Sequence, residues 1–212
     1  MKKKRTFLNW CGILGVISFL SYTAAVVFAP TAYPGYNWMA QAVSDLSAAN
    51  APSLRLWNQL NCLYGIGGIV CCMMACAWIQ GKGNKVLRIG LYLFTIMNWM
   101  SCVGFTMFSL SDSGYAGTFQ DVMHMVLTAG VVILSVASLI CLIVGSRKNQ
   151  EFRILGIGAA VALIMMLSGP ILMNLIPREY FGIAERFSVF AAVGYNGVLG
   201  IWLLGGKKRK EG

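Results

Sequence analysis

The sequence predicts an all-α, polytopic membrane protein: a six-transmembrane-helix bundle with a short interfacial helix in the first outer loop. Three observations support this fold class. The 212-residue chain is 58% hydrophobic and only 11% charged, whereas a soluble domain has about a quarter charged residues because its surface faces water. Six apolar segments approach or exceed the roughly 20 residues that a helix needs to cross the hydrocarbon core. Basic residues cluster at alternate connections between these segments.

The six segments are predicted to form one integral membrane domain over residues 1–212, because no linker, low-complexity tract or convincing repeat divides them. We predict helices at about residues 6–29, 56–79, 86–110, 119–145, 154–176 and 183–204. The first follows KKKR, as a signal peptide would, but its apolar run exceeds the roughly 7–15 residues of a signal h-region. We therefore expect a retained membrane anchor.

The distribution of charge predicts the orientation of the bundle. Fourteen of the seventeen Lys and Arg residues lie in four clusters, each beside an apolar run. The clusters are residues 2–5; Lys82, Lys85 and Arg88; Arg147, Lys148 and Arg153; and residues 207–210. By the positive-inside rule, both termini are cytoplasmic and the protein is multi-pass in a plasma or inner membrane. Since no basic face is interleaved with aromatic residues, the net charge of +10 does not indicate nucleic-acid binding.

A short helix is predicted within the long first outer loop, residues 30–55. Met39, Ala42, Val43 and Leu46 recur at i, i+3, i+4 and i+7, which is the spacing of one apolar helix face. We expect this helix to lie at the outer interface or to dip into the mouth of the bundle.

Polar side chains are costly inside a bilayer, so their placement bears on function. They concentrate in the outer half of the predicted bundle, while the inner halves are apolar. A channel or carrier needs a path to both faces, so this asymmetry favours an outward-facing polar pocket. The candidate ligand-binding residues are Ser44, Arg186, Glu185, Asp112, Asn58 and Asn61.

His124 is the only histidine of the chain and lies one helical turn from Asp121. A neighbouring carboxylate fixes the tautomer of a histidine and raises its basicity. We therefore name His124, Asp121 and Asp45 as candidate catalytic residues, with His124 as general acid or base and Arg186 holding an anionic group. A purely structural hydrogen bond of His124 is the alternative.

Other patterns have structural explanations. Thr118 and Asp121 fit a capping box at the start of the fourth helix, and residues 111–114 (SDSG) have good turn chemistry, which could account for Asp112. A serine nucleophile could be assembled from Ser44, His124 and either candidate aspartate, but no Gly-x-Ser-x-Gly elbow accompanies it.

Metal and disulfide chemistry have weak support in the sequence. One histidine with scattered carboxylates is a poor match to a zinc site, so no metal ligand is predicted and any cofactor is unknown. All seven cysteines fall inside apolar runs, where they are expected to act as packing residues.

Three features resemble a bacterial membrane-protein family catalogued as domain of unknown function 998. They are the segment 37–47 (NWMAQAVSDLS), the lone His124 early in the fourth helix, and the Glu185–Arg186 pair entering the sixth. The resemblance extends over most of the chain and implies a compact multi-helix protein without an assigned reaction. The positions that it highlights are Ser44, Asp45, His124, Glu185 and Arg186.

Three functional hypotheses follow. The first is binding or processing of a lipid or other amphiphile at the outer leaflet. The second is a small-solute or proton-coupled transporter that uses Asp121, His124 and Glu185. The third is a structural or assembly partner whose polar residues satisfy one another. The lipid bilayer is the predicted partner in all three, while enzymatic activity and oligomeric state stay open.

Overall fold

Helices make up most of the chain in the computed structural model, which describes residues 5–206. No strand occurs within that range. The α-helices are α1 (Phe7–Trp10), α2 (Gly12–Phe28), α3 (Leu54–Asn61), α4 (Tyr64–Trp78), α5 (Lys85–Met107), α6 (Phe119–Ser146), α7 (Arg153–Leu175) and α8 (Phe181–Gly205). The 3-10 turns are Ala29–Ala32, Ser44–Ser47, Gln150–Phe152 and Arg178–Tyr180.

These elements combine into six helical segments that are long and apolar enough to cross a membrane. The segments are Phe7–Ala32, Leu54–Trp78, Lys85–Met107, Phe119–Ser146, Gln150–Leu175 and Arg178–Gly205. The predicted all-helical, six-span fold class is therefore confirmed, and the chain is a multi-pass membrane protein. Large apolar side chains on the outside of the bundle, such as Ile133 and Ile164, are about two-thirds exposed, as expected of a surface that faces hydrocarbon instead of water.

Two of the predicted basic clusters meet at one end of the bundle. Asn84, before α5, donates a hydrogen bond to the carbonyl of Gly145 near the end of α6 (2.6 Å). The α6–α7 connection is tied to α8 in turn, because Trp202 Nε1 donates to the carbonyl of Glu151 (3.1 Å). The other two clusters, residues 2–4 and 207–210, lie outside the described residues, with only Arg5 of the first described.

Small residues allow the first and last membrane segments to pack closely. A Cβ placed on Gly200 of α8 would lie 2.5 Å from Gly12 O and 2.9 Å from Val16 N of α2. Only glycine leaves room for this approach, which resembles the small-residue packing common between membrane helices. The α2–α8 contact closes the bundle.

An apolar core fills the half of the bundle beside the basic connections. Phe94 and Tyr195 pack edge to face with ring centroids 4.9 Å apart, and both are almost fully buried. The Tyr195 hydroxyl donates to the carbonyl of Leu155 (3.1 Å), so its polar atom is satisfied within the core.

The second membrane segment differs from the predicted continuous helix 56–79, because it is interrupted at residues 62–63 between α3 and α4. Two serines of α2 bond to carbonyls beside the break. Ser21 Oγ donates to Leu60 O (2.5 Å) and Ser18 Oγ donates to Tyr64 O (2.7 Å). Side-chain donors of this kind compete with the main-chain ladder and interrupt helices.

The short helix predicted in the first outer loop is present only as the 3-10 turn Ser44–Ser47. The main chain before this turn bonds to other parts of the protein instead of to itself. Ile183 N donates to Met39 O (3.2 Å), and Val43 N donates to the carboxylate of Glu185 (2.8 Å). The apolar positions Val43 and Leu46 are nevertheless buried, as the periodicity predicts.

Candidate functional site

The polar residues that the sequence singles out lie mainly at the end of the bundle away from the basic connections. This outer layer consists of the first outer loop (residues 33–53), the α5–α6 connection (residues 108–118) and the start of α8. Within the described residues, the hydrogen bonds of the candidate side chains divide them into three groups. The first group ties the first outer loop to α8, the second ties it to the α5–α6 connection, and the third ties that connection to the start of α6.

Arg186 belongs to the first group and bonds only to neutral oxygens. Its Nη1 donates to Gln41 O (3.1 Å) and to Gly182 O (2.8 Å), and its Nη2 donates to the hydroxyl of Tyr36 (2.8 Å). The guanidinium carbon lies 6.0 Å from the ring centroid of Trp38. None of these hydrogen bonds joins the positive charge to a carboxylate.

Tyr36 and Glu185 complete the attachment of the outer loop to α8. The Tyr36 hydroxyl donates to Ala42 O (2.8 Å), and Glu185 accepts from Val43 N. Burial raises the pKa of Tyr36 to about 12, although the nearby Arg186 charge opposes the shift. The phenol is therefore protonated at neutral pH and can donate its hydrogen bond.

Asp45 forms the second group, which joins the two outer loops. Its carboxylate accepts from Ala42 N (3.1 Å) and from Gly114 N (2.9 Å). Its main-chain oxygen accepts from Ser113 Oγ (3.2 Å). Gly114 has a φ of +87°, a conformation that glycine adopts without a steric penalty. Asp45 is thus buried as a link between loops.

Asp121 and His124 form the third group at the start of α6. The carboxylate of Asp121 accepts hydrogen bonds from Ser111 N (2.8 Å) and from Thr118 N (3.1 Å). The hydroxyl of Thr118 in turn accepts from Asp121 N (3.3 Å). The predicted capping box is therefore present. His124 Nδ1 lies 2.9 Å from Phe108 O. Since a carbonyl can only accept, Nδ1 holds the hydrogen, and Nε2 has the lone pair of the neutral ring.

The remaining candidates lie apart from these groups. Asp112 is exposed and accepts from the side-chain amide of Asn50, while Asn58 is exposed on α3. Asn61 has a buried Oδ1 without a hydrogen-bond partner in the described chain. The carbonyl of Ser44 accepts a hydrogen bond from the hydroxyl of Ser47 (3.1 Å).

A family model described as Protein of unknown function (DUF998) matches residues 16–202, which is most of the chain. The chain belongs to the DUF998 family. No curated protein and no solved structure matches it. The resemblance inferred from the residues is confirmed at the level of the family.

Sequence reasoning did not single out several residues that organise the outer layer of this DUF998 protein. Tyr36 and Trp38 surround Arg186, and Ser111 donates to Asp121 through both its amide and its hydroxyl. The enrichment of aromatic residues at membrane interfaces could have indicated the first two. Nothing in the local sequence identifies Ser111 as the partner of a carboxylate ten residues away.

A second polar contact of this DUF998 protein lies deeper in the bundle. Asn196 of α8 donates to Asn98 Oδ1 of α5 (3.0 Å), and both side chains are buried. The Asn98 amide also donates to Phe94 O (2.9 Å). Over residues 5–206, no three His, Cys, Asp or Glu side chains come together in a way that could hold a metal ion.

Proposed function

We propose that this protein binds a lipid or other amphiphile at its outer layer, with Arg186 holding the anionic headgroup. The supporting observation is the guanidinium of Arg186, whose hydrogen bonds all go to neutral oxygens. A guanidinium has five N–H donors, of which three are used here. The other two make no hydrogen bond within the described chain, and we propose that they bind an anionic oxygen, a match that arginine makes with particular strength.

The surroundings of Arg186 suit an amphiphile at a membrane interface. Trp38 is 53% exposed beside the guanidinium and Met39 is 37% exposed, so an apolar surface adjoins the positive charge. Aromatic rings of this kind favour the level of the lipid headgroups. From the charge asymmetry of the sequence, we infer that this layer faces away from the cytoplasm in a plasma or inner membrane.

Titration with dodecyl phosphate tests this proposal. The full chain in dodecyl maltoside is titrated with this anionic amphiphile, and the fluorescence of Trp38 is isolated by subtracting the signal of Trp38→Phe. We expect saturable binding that Arg186→Gln weakens about tenfold or more, because a hydrogen bond to a charged group contributes about 1.5–3 kcal/mol.

Arg178→Gln is the charge-matched control for that experiment. Arg178 lies at the same end of the last membrane segment and is exposed, and it makes no side-chain hydrogen bond within the described chain. Equal weakening by Arg178→Gln and Arg186→Gln would contradict a specific site, as would equal binding of dodecyl phosphate by the wild type and Arg186→Gln.

Acid–base chemistry at His124 is a separate prediction. The oxygens of Asp121 are bonded to residues 111 and 118, and those of Asp45 to Ala42 and Gly114, so neither orients the imidazole by a hydrogen bond. The free lone pair of Nε2 is what a general base would use. Loss of substrate turnover in His124→Ala, with binding at Arg186 retained, would support catalysis, and unchanged turnover would remove it.

A structural or assembly role is the second candidate, and one observation favours it. The carboxylates of Asp45, Asp121 and Glu185 all accept hydrogen bonds from main-chain amides of the outer loops. Tolerance of the combined change Asp45→Ala, His124→Ala and Arg186→Ala would favour this role. Transport has less support, because the apolar core closes the other half of the bundle, and flux in proteoliposomes is its test.

A further inference from the structure

A basic cleft of about 340 Å³ lies where α6 is followed by α7, at the end of the bundle opposite the outer layer. Arg147, Lys148 and Arg153 form its charged rim, and Ile143, Ile157 and Ala160 form its apolar wall. The end of α6 is about 33 Å from His124 at 1.5 Å per residue. The cleft therefore lies at the opposite end of the bundle from the outer layer, which contains the candidate site around Arg186.

The three basic side chains of the rim are available to a ligand. All three are exposed, and none makes a side-chain hydrogen bond within residues 5–206. The acidic residue of the same connection, Glu151, does not line the cleft. Its main chain is turned toward α8, where its carbonyl accepts from Trp202. The rim therefore presents three positive charges that no lining carboxylate neutralises.

The apolar wall points to a ligand with a hydrocarbon chain. Arg153 and Ala160 are seven residues apart on α7, a distance of about 10 Å along the helix axis. Ile157, between them, is 55% exposed on the surface that faces lipid. A phosphate at the rim would therefore place an acyl chain along Ile157 and Ala160, in continuity with the surrounding bilayer.

We propose that the α6–α7 cleft binds an anionic phospholipid, with its phosphate at Arg147, Lys148 and Arg153 and one acyl chain against Ile143, Ile157 and Ala160. Basic pockets between membrane helices are typical sites for such headgroups. The other basic connection has a different environment, since Lys82 Nζ lies 2.9 Å from the ring centroid of Trp78. The proposal does not depend on ligand binding at Arg186.

Native mass spectrometry of the full chain tests the site. The detergent-solubilised protein is titrated with phosphatidylglycerol or with phosphatidylcholine of the same chain length. We expect phosphatidylglycerol to bind preferentially, and the triple variant Arg147→Gln, Lys148→Gln, Arg153→Gln to lose at least about tenfold in affinity, because each basic residue near a lipid surface contributes about 1 kcal/mol.

The triple variant Lys82→Gln, Lys85→Gln, Arg88→Gln removes the same charge from the neighbouring connection and should change the affinity less than threefold. Equal losses in the two triple variants would overturn the proposal and indicate attraction by total charge. Equal binding of the two lipids by the wild type would overturn it too.

Ala160→Phe retains all three charges and fills the apolar wall. We expect it to weaken phosphatidylglycerol binding while its elution profile and helical circular dichroism match those of the wild type. It serves as the test if the charge variants fail to fold. Unchanged lipid binding in Ala160→Phe, or displacement of the lipid by millimolar inorganic phosphate, would point to a simple anion site and contradict a lipid site.

Discussion

Asp121 lies fully buried at the first turn of α6, where the sequence predicts both a capping residue and a partner for His124. The structure forms the cap. Both carboxylate oxygens are occupied by donors from residues 111 and 118, so the capping interaction takes the acceptors that a His–Asp hydrogen bond would have needed. Local spacing predicts that the two side chains are near each other, but it cannot rank their competing partners.

Asp121→Ala should lower the stability of the protein. The change removes the reciprocal cap and leaves the amides of Ser111 and Thr118 without acceptors, at a cost of about 1–3 kcal/mol. The thermal unfolding midpoint in detergent should fall by about 2–4 °C for each kcal/mol. Asp112→Ala is the control, since Asp112 is exposed. Equal shifts in the two variants would contradict a specific capping role.

The raised pKa of Tyr36 predicts that the attachment of the outer loop to α8 weakens at alkaline pH. Its pKa is about 12 in the folded protein because burial disfavours the phenolate, compared with 10.0 for an ordinary tyrosine. A pKa raised on folding contributes stability that is complete below pH 10 and is lost as the pH rises toward 12. The outer loop should therefore detach from α8 in this window, as an alkaline change in Trp38 fluorescence. Tyr36→Phe should abolish the transition in that range, and an unaltered transition would assign it to another group.

The contacts of the outer layer are only partly predictable from the sequence. Asp45, Glu185 and Arg186 are recognisable because charged side chains near a membrane segment are unusual. Apart from the Tyr36 hydroxyl, their partners in the outer loops are main-chain groups of residues 41–43 and 114, which the side-chain sequence does not distinguish. The prediction therefore identifies the charged residue of each contact but not the group that it bonds to.

At the scale of helices, α2 and α8 depend on glycine at their contact. Gly200→Ala would bring a Cβ against the main chain of Gly12 and Val16, and overpacking of this kind costs about 1–3 kcal/mol. The matched control is Gly194→Ala in the same helix, where the nearest atom outside the local helix is 4.0 Å away.

We expect different changes in the thermal unfolding midpoint of the two glycine variants. Gly200→Ala should lower the midpoint. Gly194→Ala should leave it unchanged or raise it slightly, because alanine favours a helix interior by roughly 0.5–1 kcal/mol over glycine. A stable Gly200→Ala variant would mean that the two helices can separate without cost.

The six spans follow from hydropathy because a membrane helix satisfies its own main chain and needs only an apolar exterior. The interruption at residues 62–63 does not follow. It has neither proline nor glycine at the break and coincides with donors from Ser18 and Ser21 on another helix. The helix predicted in the first outer loop does not form for a similar reason. The main chain of Val43 donates to the Glu185 carboxylate, and that of Met39 accepts from the amide of Ile183. Tertiary partners thus decide where helices stop.

For the whole molecule, the charge pattern predicts which end faces the cytoplasm. In a variant without native cysteines, Ala116→Cys and Asn149→Cys place single thiols at exposed positions of opposite ends. An impermeant maleimide added to spheroplasts should label Ala116→Cys alone, and both thiols should react after permeabilisation. Labelling of Asn149→Cys in intact spheroplasts would reverse the proposed orientation, but would leave the fold unchanged.

The packing of α2 against α8 has a consequence for biosynthesis. The contact joins the first membrane segment to the last, and Gly200 is synthesised 188 residues after Gly12. At 5–20 residues per second, this interval lasts about 10–40 s. Throughout it, the part of α2 around Gly12 that contacts α8 lacks this partner helix and must be covered by lipid or by the insertion machinery. The bundle can close only when translation is almost complete.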